Sequence, residues 1–545
     1  MSKLPEVAYF CMEYGIQSDV KLYAGGLGIL AGDYLKAACD ENYPIIGVGI
    51  KWKQGYGDQY IDRETGMPYD AYKIREYPFL KDTGVEVSVK ICNRDVKIKV
   101  WKYDAHGVNN LYLLDTDIDG NDGEARWITG QLYGWFGEER VAQEMVLGIG
   151  GVRALRALGH NPDVYHFNEG HALFAGFELI REKMEIGMSF RKAWKETRQQ
   201  VVFTTHTPVI QGNESHPLER FMYMGANLSM KKSQLKQLGG NPFNMTVGTL
   251  RLSKISNAVA DLHRVTANKM WKKVRGKSKI IGITNGIHIP TWVDEKMLDM
   301  AANYDGSNEA KDKLWQRHLE NKKELIDFIY NKTGVKLDPD VLLIGFSRRA
   351  APYKRSNLIF RDRAFIEPLL KKGKLQIVFS GKSHPLDDGG KKIVSDIVEM
   401  TKRYPDSVVF LEDYDMEIGK MLTRGSDIWL NNPRRPKEAS GTSGMKAAMN
   451  GVLNVSILDG WWPEACEHGV NGWQFGDGYE NENEEECDKH DFEALKDVLT
   501  KEVIPTFYDN REKWIKMMVA SINSVKNRFG MKRVLDEYYD RMYTL

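Results

Sequence analysis

The sequence predicts an α/β protein of two doubly wound, Rossmann-like domains, and three features of its 545 residues carry that expectation. Short β-rich runs alternate with helical periods along most of the chain, which is βαβ order. The second half holds nearly continuous apolar runs bounded by turn residues, as strands buried on both faces of a parallel sheet require. Glycine turns stand where strands hand over to helices, the end of an open α/β sheet at which ligands bind.

In order along the chain, EVAYFCMEY reads as a strand, a glycine turn leads into the helix ILAGDYLKAACDE, and PIIGVGIKW reads as the next strand. From about 84 to 116, VEVSVKI, VKIKVWKY and NNLYLLDTD alternate polar and apolar residues between Asn-Arg-Asp and His-Gly turns. That pattern predicts antiparallel strands inserted into or edging the sheet. EERVAQEMVLGIGGVRALRAL (138–158) reads as a long helix, DVYHFN as a strand, HALFAGFELIREK as a helix and VVFTTH as a strand. VLLIGF (341–346), LQIVFSG (375–381), SVVFLED (407–413) and DIWLNN (427–432) are the buried parallel strands of the second half. The acidic run YENENEEECD at 479–488 reads as a solvated loop without a functional role. The turn TNGIHIPTW divides the chain into residues 1–283, residues 284–524, and a helical tail at 525–545 that packs back on the first domain. Two such domains facing each other would create a cleft for ligand.

Charge narrows the function classes. Lys and Arg number 76 against 75 Asp and Glu, a net charge of +1, which argues against a nucleic-acid partner or a polybasic membrane surface. Apolar residues at 42% and charged residues at 28% exclude disordered and collagen-like classes. Cys11, Cys39, Cys92, Cys466 and Cys487 are odd in number and lack CxxC spacing, so neither a disulfide framework nor a zinc knuckle is expected. The opening MSKLPEV lacks the apolar run of a signal peptide, and no stretch approaches the ~18 apolar residues of a membrane span, so a cytoplasmic location is expected. Thirteen Trp and 25 Tyr either fill large cores or supply faces on which sugar rings stack.

Chemistry concentrates in PKEASGTSGMKAAMNGVLNVSILDGWWPE, residues 436–464. Small residues at 440–444 form a turn whose backbone N–H groups can approach an anion, and MKAAMNG then opens a helix whose positive dipole end points the same way. Thr442 and Ser443 add hydroxyls, and Lys446 offers an amine able to condense with an aldehyde cofactor. Gly25, Gly26 and Gly28 form a second anion-approaching turn at a helix start. Arg349 and Lys354 flank Tyr353 directly after VLLIGF, at the carboxyl end of a strand. His166, Glu169 and His171 lie close in HFNEGH but straddle a turn, so no metal site is expected.

EASGTSGMK followed by a strand and LDGWWPE resembles the cofactor-lysine segment of the α-glucan phosphorylases of glycogen, starch and maltodextrin, here in a short form. LYAGGLGILAGDYLKAA, HFNEGHALFAGFELI, VVFTTHTP, SNAVADLH, ITNGI and SRRAAPYKR are similar to further family segments, in family order, over nearly the whole chain. The resemblance implies the GT-B-like architecture of many glycosyltransferases, with pyridoxal 5′-phosphate bound covalently through Lys446. It implies reversible, retaining phosphorolysis of terminal α-1,4-glucosidic bonds of the glucan by inorganic phosphate, giving α-D-glucose 1-phosphate.

Residue by residue, it implies that Lys446, Arg349, Lys354 and His206 serve catalysis, Arg349 and Lys354 by binding substrate phosphate. Glu13, Gly26, Arg348, Thr442, Ser443 and Gly444 join Lys446 around the cofactor. Gly25, His171, His206, Asn285, Tyr353, Glu438, Ala439, Ser440 and Gly441 contact substrate. Ala351 and Pro352 depart from the His-Glu pair that larger family members carry. No nucleic acid or membrane partner is implied, and a homodimer is compatible with the family. A nucleotide-sugar-dependent retaining glycosyltransferase, like glycogen or starch synthase, is the rival reading; it would share the glutamate-containing turn and need no cofactor lysine.

Overall fold

The structure, a computed structural model, describes residues 3–544. The chain forms two compact units: one runs to Gly57, continues over Tyr72–Thr284 and resumes at Val534, and the other comprises Asp58–Ala71 and Asn285–Arg533. Two details differ from a division at 283 with a tail from 525. Residues 58–71 belong with the second unit because their hairpin bonds there: the Gln59 side chain donates to the Ser383 carbonyl and accepts from the Ser383 N–H, and Arg63 pairs with Glu412. The return to the first unit begins only at Val534.

In the first unit nine strands form one sheet: β1 (Val7–Phe10), β2 (Ile45–Ile50), β3 (Lys81–Ile91), β4 (Arg94–Ala105), β5 (Val108–Asp115), β6 (Val164–Asn168), β7 (Val201–Thr204), β8 (Ile255–Ala258) and β9 (Lys279–Gly282), ordered β9-β8-β7-β6-β1-β2-β5-β4-β3. β1 is apolar and buried throughout, as a central strand between parallel neighbours must be; Val7 stands level with Ile45 on one side and Val164 on the other. β5 pairs parallel with β2, and β4 and β3 add antiparallel to it, so the alternating segment edges the sheet as its polarity predicts. The helix at 138–158 carries a π-helical turn over Val146–Gly150, where a Cβ on Gly148 would meet the Ala175 N at 2.4 Å. The widened turn lets two helices touch backbone to backbone. Helix α1 (Gly26–Asp40) packs beneath the carboxy-terminal segment, whose Tyr543 hydroxyl lies 2.6 Å from His166 Nδ1 and also bonds Tyr34.

The second unit is built on six parallel strands, β10 (Leu342–Ser347), β11 (Leu375–Ser380), β12 (Val408–Leu411), β13 (Ile428–Asn431), β14 (Leu453–Ile457) and β15 (Gly472–Phe475), ordered β12-β11-β10-β13-β14-β15. All four apolar runs of the second half are strands here, and β14 and β15 extend the sheet. The acidic run is only partly a loop. Asn483 caps a helix over Glu484–Val498, where glutamates in the first turn suit the dipole, and Asp488 is half-buried between Arg355 and Arg434. Among the described residues no helix is long and apolar enough to cross a membrane.

Helix α2 (Asn308–Thr333) starts on a Ser307 cap, ends at left-handed Gly334, and is tied to the sheet through one buried anion. Asp427 accepts from Lys322 Nζ at 2.7 Å, the Leu343 N–H at 2.7 Å and His318 Nε2 at 2.8 Å, with all three side chains fully buried. Burial pushes the Asp427 carboxyl up, but the Lys322 and His318 charges outweigh it and hold it low. Lys322→Ala leaves a carboxylate short of a cation in a dry site and should cost about 3–5 kcal/mol in urea unfolding. A loss below ~1 kcal/mol would contradict this account.

Candidate active site

In the second unit β10 delivers Arg348 and Arg349 at its carboxyl end, and the Arg348 N–H donates to the Ser380 carbonyl at 3.2 Å. A 3₁₀ turn at Pro352–Lys354 then brings Lys354 inward. The side chains of Arg348 and Lys354 both pair with one oxygen of Glu438, and Arg348 also bonds Asn431 at the end of β13. Burial pushes the Glu438 carboxyl up, but the two cations outweigh it and hold it at about 2. Lys354 Nζ also lies 4.8 Å from the Tyr353 ring centroid. Arg349 is exposed, so the pair that the structure sets on Glu438 is Arg348 with Lys354.

Asp459, at the Asp-Gly turn after β14, accepts the Glu438 N–H at 2.9 Å and the Gly460 N–H at 2.8 Å. Burial, followed by the Glu438 charge, pushes its carboxyl up to about 8. At neutral pH Glu438 is therefore ionised while Asp459 keeps a proton. Gly460 has φ +59°, and a Cβ there would stand 2.2 Å from the Ser440 carbonyl oxygen, which the Trp461 N–H reaches at 2.8 Å. The 459–461 turn thus clamps the loop Glu438–Gly441 from behind.

Helix α3 (Thr442–Met449) begins three residues before the MKAAMNG expected from sequence, because Gly441 adopts φ +85° and turns the chain into it. Thr442, Ser443 and Gly444 therefore form its first turn, which holds no acidic residue; the Gly444 N–H donates to the Gly441 carbonyl at 3.2 Å. Lys446 is buried on the next turn, with Nζ 3.4 Å from the Trp292 ring centroid. Asn450 fixes that arrangement by donating to the carbonyls of Lys446 at 2.9 Å and Trp292 at 3.2 Å. A Cβ on Gly444 would press on Asn454 Oδ1 at 2.7 Å and Trp461 Nε1 at 2.8 Å. Among the described residues the buried oxygens Ser440 Oγ and Asn285 Oδ1 have no hydrogen-bond partner, so both can still accept from a donor.

In the first unit Glu13 fills the glycine turn. Its carboxylate accepts the N–H groups of Ala24 at 2.7 Å and Gly25 at 3.1 Å, and the Tyr133 hydroxyl donates to it at 2.9 Å. Gly25 thus spends its N–H on an internal anion, and Gly26 opens α1. His206 Nε2 meets Asn168 Oδ1 at 2.6 Å, and Glu169, at left-handed φ +75°, accepts the His206 N–H at 2.8 Å and the Gly170 N–H at 3.0 Å. One strained glutamate joins both histidine segments. In the same motif His166 is committed to Thr204 and Tyr543. Of its residues only His171 has metal-like company, with ligand atoms of Glu144 and Glu214 within 4.8 Å. Burial and the Glu214 charge push the Glu144 carboxyl well up, and Glu214 already pairs with Arg140 at 2.6 Å.

Sequence reasoning passed over Trp292, Asp459, Tyr133 and Asn168. Trp292 and Asp459 stood inside segments read for other residues, and the legible signal for Asp459 was an Asp-Gly turn at a strand end.

Burial holds His166 and His206 at about 3 and His171 and His263 at about 4, against an ordinary 6.5. Each is neutral when folded, so unfolding takes up protons below about pH 6.5; stability is full above that value and lost as pH falls toward 4. Urea midpoints should fall between about pH 7 and pH 4.5, less steeply in His206→Asn, and a flat profile would contradict the neutral assignment.

The carbohydrate phosphorylase family model matches residues 278–498, which include Asn285, Arg348, Lys354, Glu438 and Lys446. Maltodextrin phosphorylase of Thermococcus litoralis is 37% identical over 99% of this chain and 70% of its own length. Glycogen phosphorylase of Aquifex aeolicus is 36% identical over 99% of this chain and 86% of its own, and an uncharacterized protein of Methanocaldococcus jannaschii is 37% identical over 98% and 99%. With identity of this level sustained across nearly all of the sequence, the chain belongs to the carbohydrate phosphorylase family.

Proposed function

We infer that this protein is an α-glucan phosphorylase that releases α-D-glucose 1-phosphate from the ends of α-1,4-glucan chains. The observation that carries the reading is the buried Lys446 amine against Trp292, one turn beyond a helix N-terminus free of acidic residues. A nucleotide-sugar glycosyltransferase has no use for such a lysine. The proposal includes a GT-B-like arrangement, in which the first unit carries the glycine turn and His206 and the second carries Lys446 and the phosphate-holding cations, and a cytoplasmic location.

The residues fit pyridoxal 5′-phosphate. A buried primary amine suits an aldehyde, an indole face suits an aromatic ring, and the helix start at Thr442 and Ser443, with no acidic residue in its first turn, suits a phosphate. When bound, the cofactor supplies a phosphate group as a proton reservoir beside the substrate phosphate. Lys446 anchors it, with Arg348 adding positive charge and Glu13 and Gly26 bordering its site. Arg349 and Lys354 hold the incoming phosphate, since two adjacent dianions repel unless cations stand between them. That phosphate protonates the leaving glycosidic oxygen and then attacks the sugar carbon from the same face, so configuration is retained. Glu438, Ser440, Gly441, Asn285 and His206 orient the terminal glucose through its hydroxyls, with Ala439, Tyr353, His171 and Gly25 along its border. Asp459 keeps the Glu438 loop in place and holds its own proton away from the chemistry.

A coupled assay for glucose 1-phosphate with maltodextrins of graded length and inorganic phosphate tests the reading. Product should form without any nucleotide sugar; transfer from a nucleotide sugar with no phosphate-dependent release would overturn it. Lys446→Ala should abolish the borohydride-fixed pyridoxal adduct, and peptide mapping that finds the adduct on another lysine would refute the anchor. Arg349→Ala should raise the KM for phosphate about tenfold or more with a much smaller change in the KM for glucan. Equal changes in both constants would remove Arg349 from the phosphate site.

A further inference from the structure

Asn168 ends β6 and stands level with Thr204, the last residue of the neighbouring parallel strand β7, so it meets His206 just beyond the carboxyl end of the sheet. It is buried, and its Oδ1 lies 2.6 Å from His206 Nε2. An amide oxygen has no proton to give, so Nε2 donates in this bond, and the neutral ring keeps Nδ1 as its acceptor. The other end of the amide is held as well: Nδ2 donates to the sulfur of Cys11 at 3.3 Å, and Cys11, directly after β1, is fully buried.

A second anchor holds the main chain. Glu169 accepts the His206 N–H at 2.8 Å and the Thr207 hydroxyl at 3.2 Å, and its own N–H donates to the Thr204 carbonyl at 2.9 Å. Consecutive residues thus fix the backbone and the ring of one histidine. His263, His171 and His166 are the titratable groups facing that ring; burial keeps each neutral, and a charge on any of them would oppose one on His206. Glu169 is the carboxyl on this side, and it is engaged with the N–H groups of His206 and Gly170. We propose that Asn168 is a positioning and specificity-determining residue of the reaction: it sets the tautomer and orientation of His206 so that Nδ1 accepts a hydroxyl of the terminal glucose. The assignment rests on the reading of the protein as an α-glucan phosphorylase with His206 at the sugar. A site built to bond one hydroxyl rejects a sugar that lacks it, because the buried acceptor is then left unpaired.

The test runs the full-length enzyme toward synthesis, with glucose 1-phosphate and its monodeoxy analogues as donors to maltoheptaose. In the parent, removal of the hydroxyl that faces Nδ1 should lower kcat/KM about tenfold or more. Asn168→Ala should lower kcat/KM for glucose 1-phosphate by about tenfold, and in that variant removal of the same hydroxyl should cost less than about twofold. Losses that add for every hydroxyl would overturn the assignment. Asn168→Ser, a smaller change, is read in the same cycle, and urea midpoints with the borohydride-fixed pyridoxal adduct establish that each variant is folded and loaded. Asn168→Asp gives an independent readout, since a carboxylate on Nε2 favours the imidazolium, whose Nδ1 carries a proton and cannot accept. Its activity relative to the parent should be lowest near about pH 5.5 and rise toward about pH 8, because the parent ring, held at about 3, stays neutral throughout. A ratio that is flat in pH would overturn the tautomer. Failure of the parent to lengthen maltoheptaose from glucose 1-phosphate would instead overturn the phosphorylase reading.

Discussion

Glu438 is the anion around which the second unit's site takes its shape. It is buried, and an isolated carboxylate there would be prohibitively costly, so the guanidinium of Arg348 and the ammonium of Lys354 converge on it. Those cations stand 90 and 84 residues earlier in the chain, after β10, so one ion pair cluster fastens the Arg348–Lys354 segment to the Glu438–Gly441 loop. Asp459 completes the unit from the other side: it takes the Glu438 N–H, and two neighbouring carboxyl groups share a site because only one of them is ionised.

The rigidity of this cluster explains why so small a turn can carry recognition. Gly441 and Gly460 hold left-handed backbone conformations that residues with a Cβ rarely adopt, and Gly460 packs directly on the Ser440 carbonyl. The loop and the start of α3 are therefore set before any ligand arrives, which lowers the entropic cost of binding. Lys446 is held in the same manner, since Asn450 spans its carbonyl and that of Trp292 and keeps amine and indole in register.

The first unit solves a related problem with different parts. Its glycine turn holds the Glu13 carboxylate, and its two histidine segments are joined by the strained Glu169. Four histidines stay neutral through burial, which favours imidazoles that accept or donate hydrogen bonds over ones that carry charge.

The sequence by itself determined β1, β2, β6 and β7, the parallel core of the second half, the antiparallel edge at about 84–116 and the lysine-bearing segment, because these depend on local period and on residue type at fixed spacing. Tertiary structure alone decided that the hairpin at 58–71 joins the second unit, that the acidic run becomes a capped helix with Asp488 as an ion-pair partner, and that α3 starts at Thr442. It also decided that Arg348 shares Glu438 with Lys354 while Arg349 stays exposed. The physical reason is the same in each case. Hydrogen bonds and charge pairs between residues far apart in the chain depend on which groups are buried together, and neither a residue's type nor its neighbours in sequence record that.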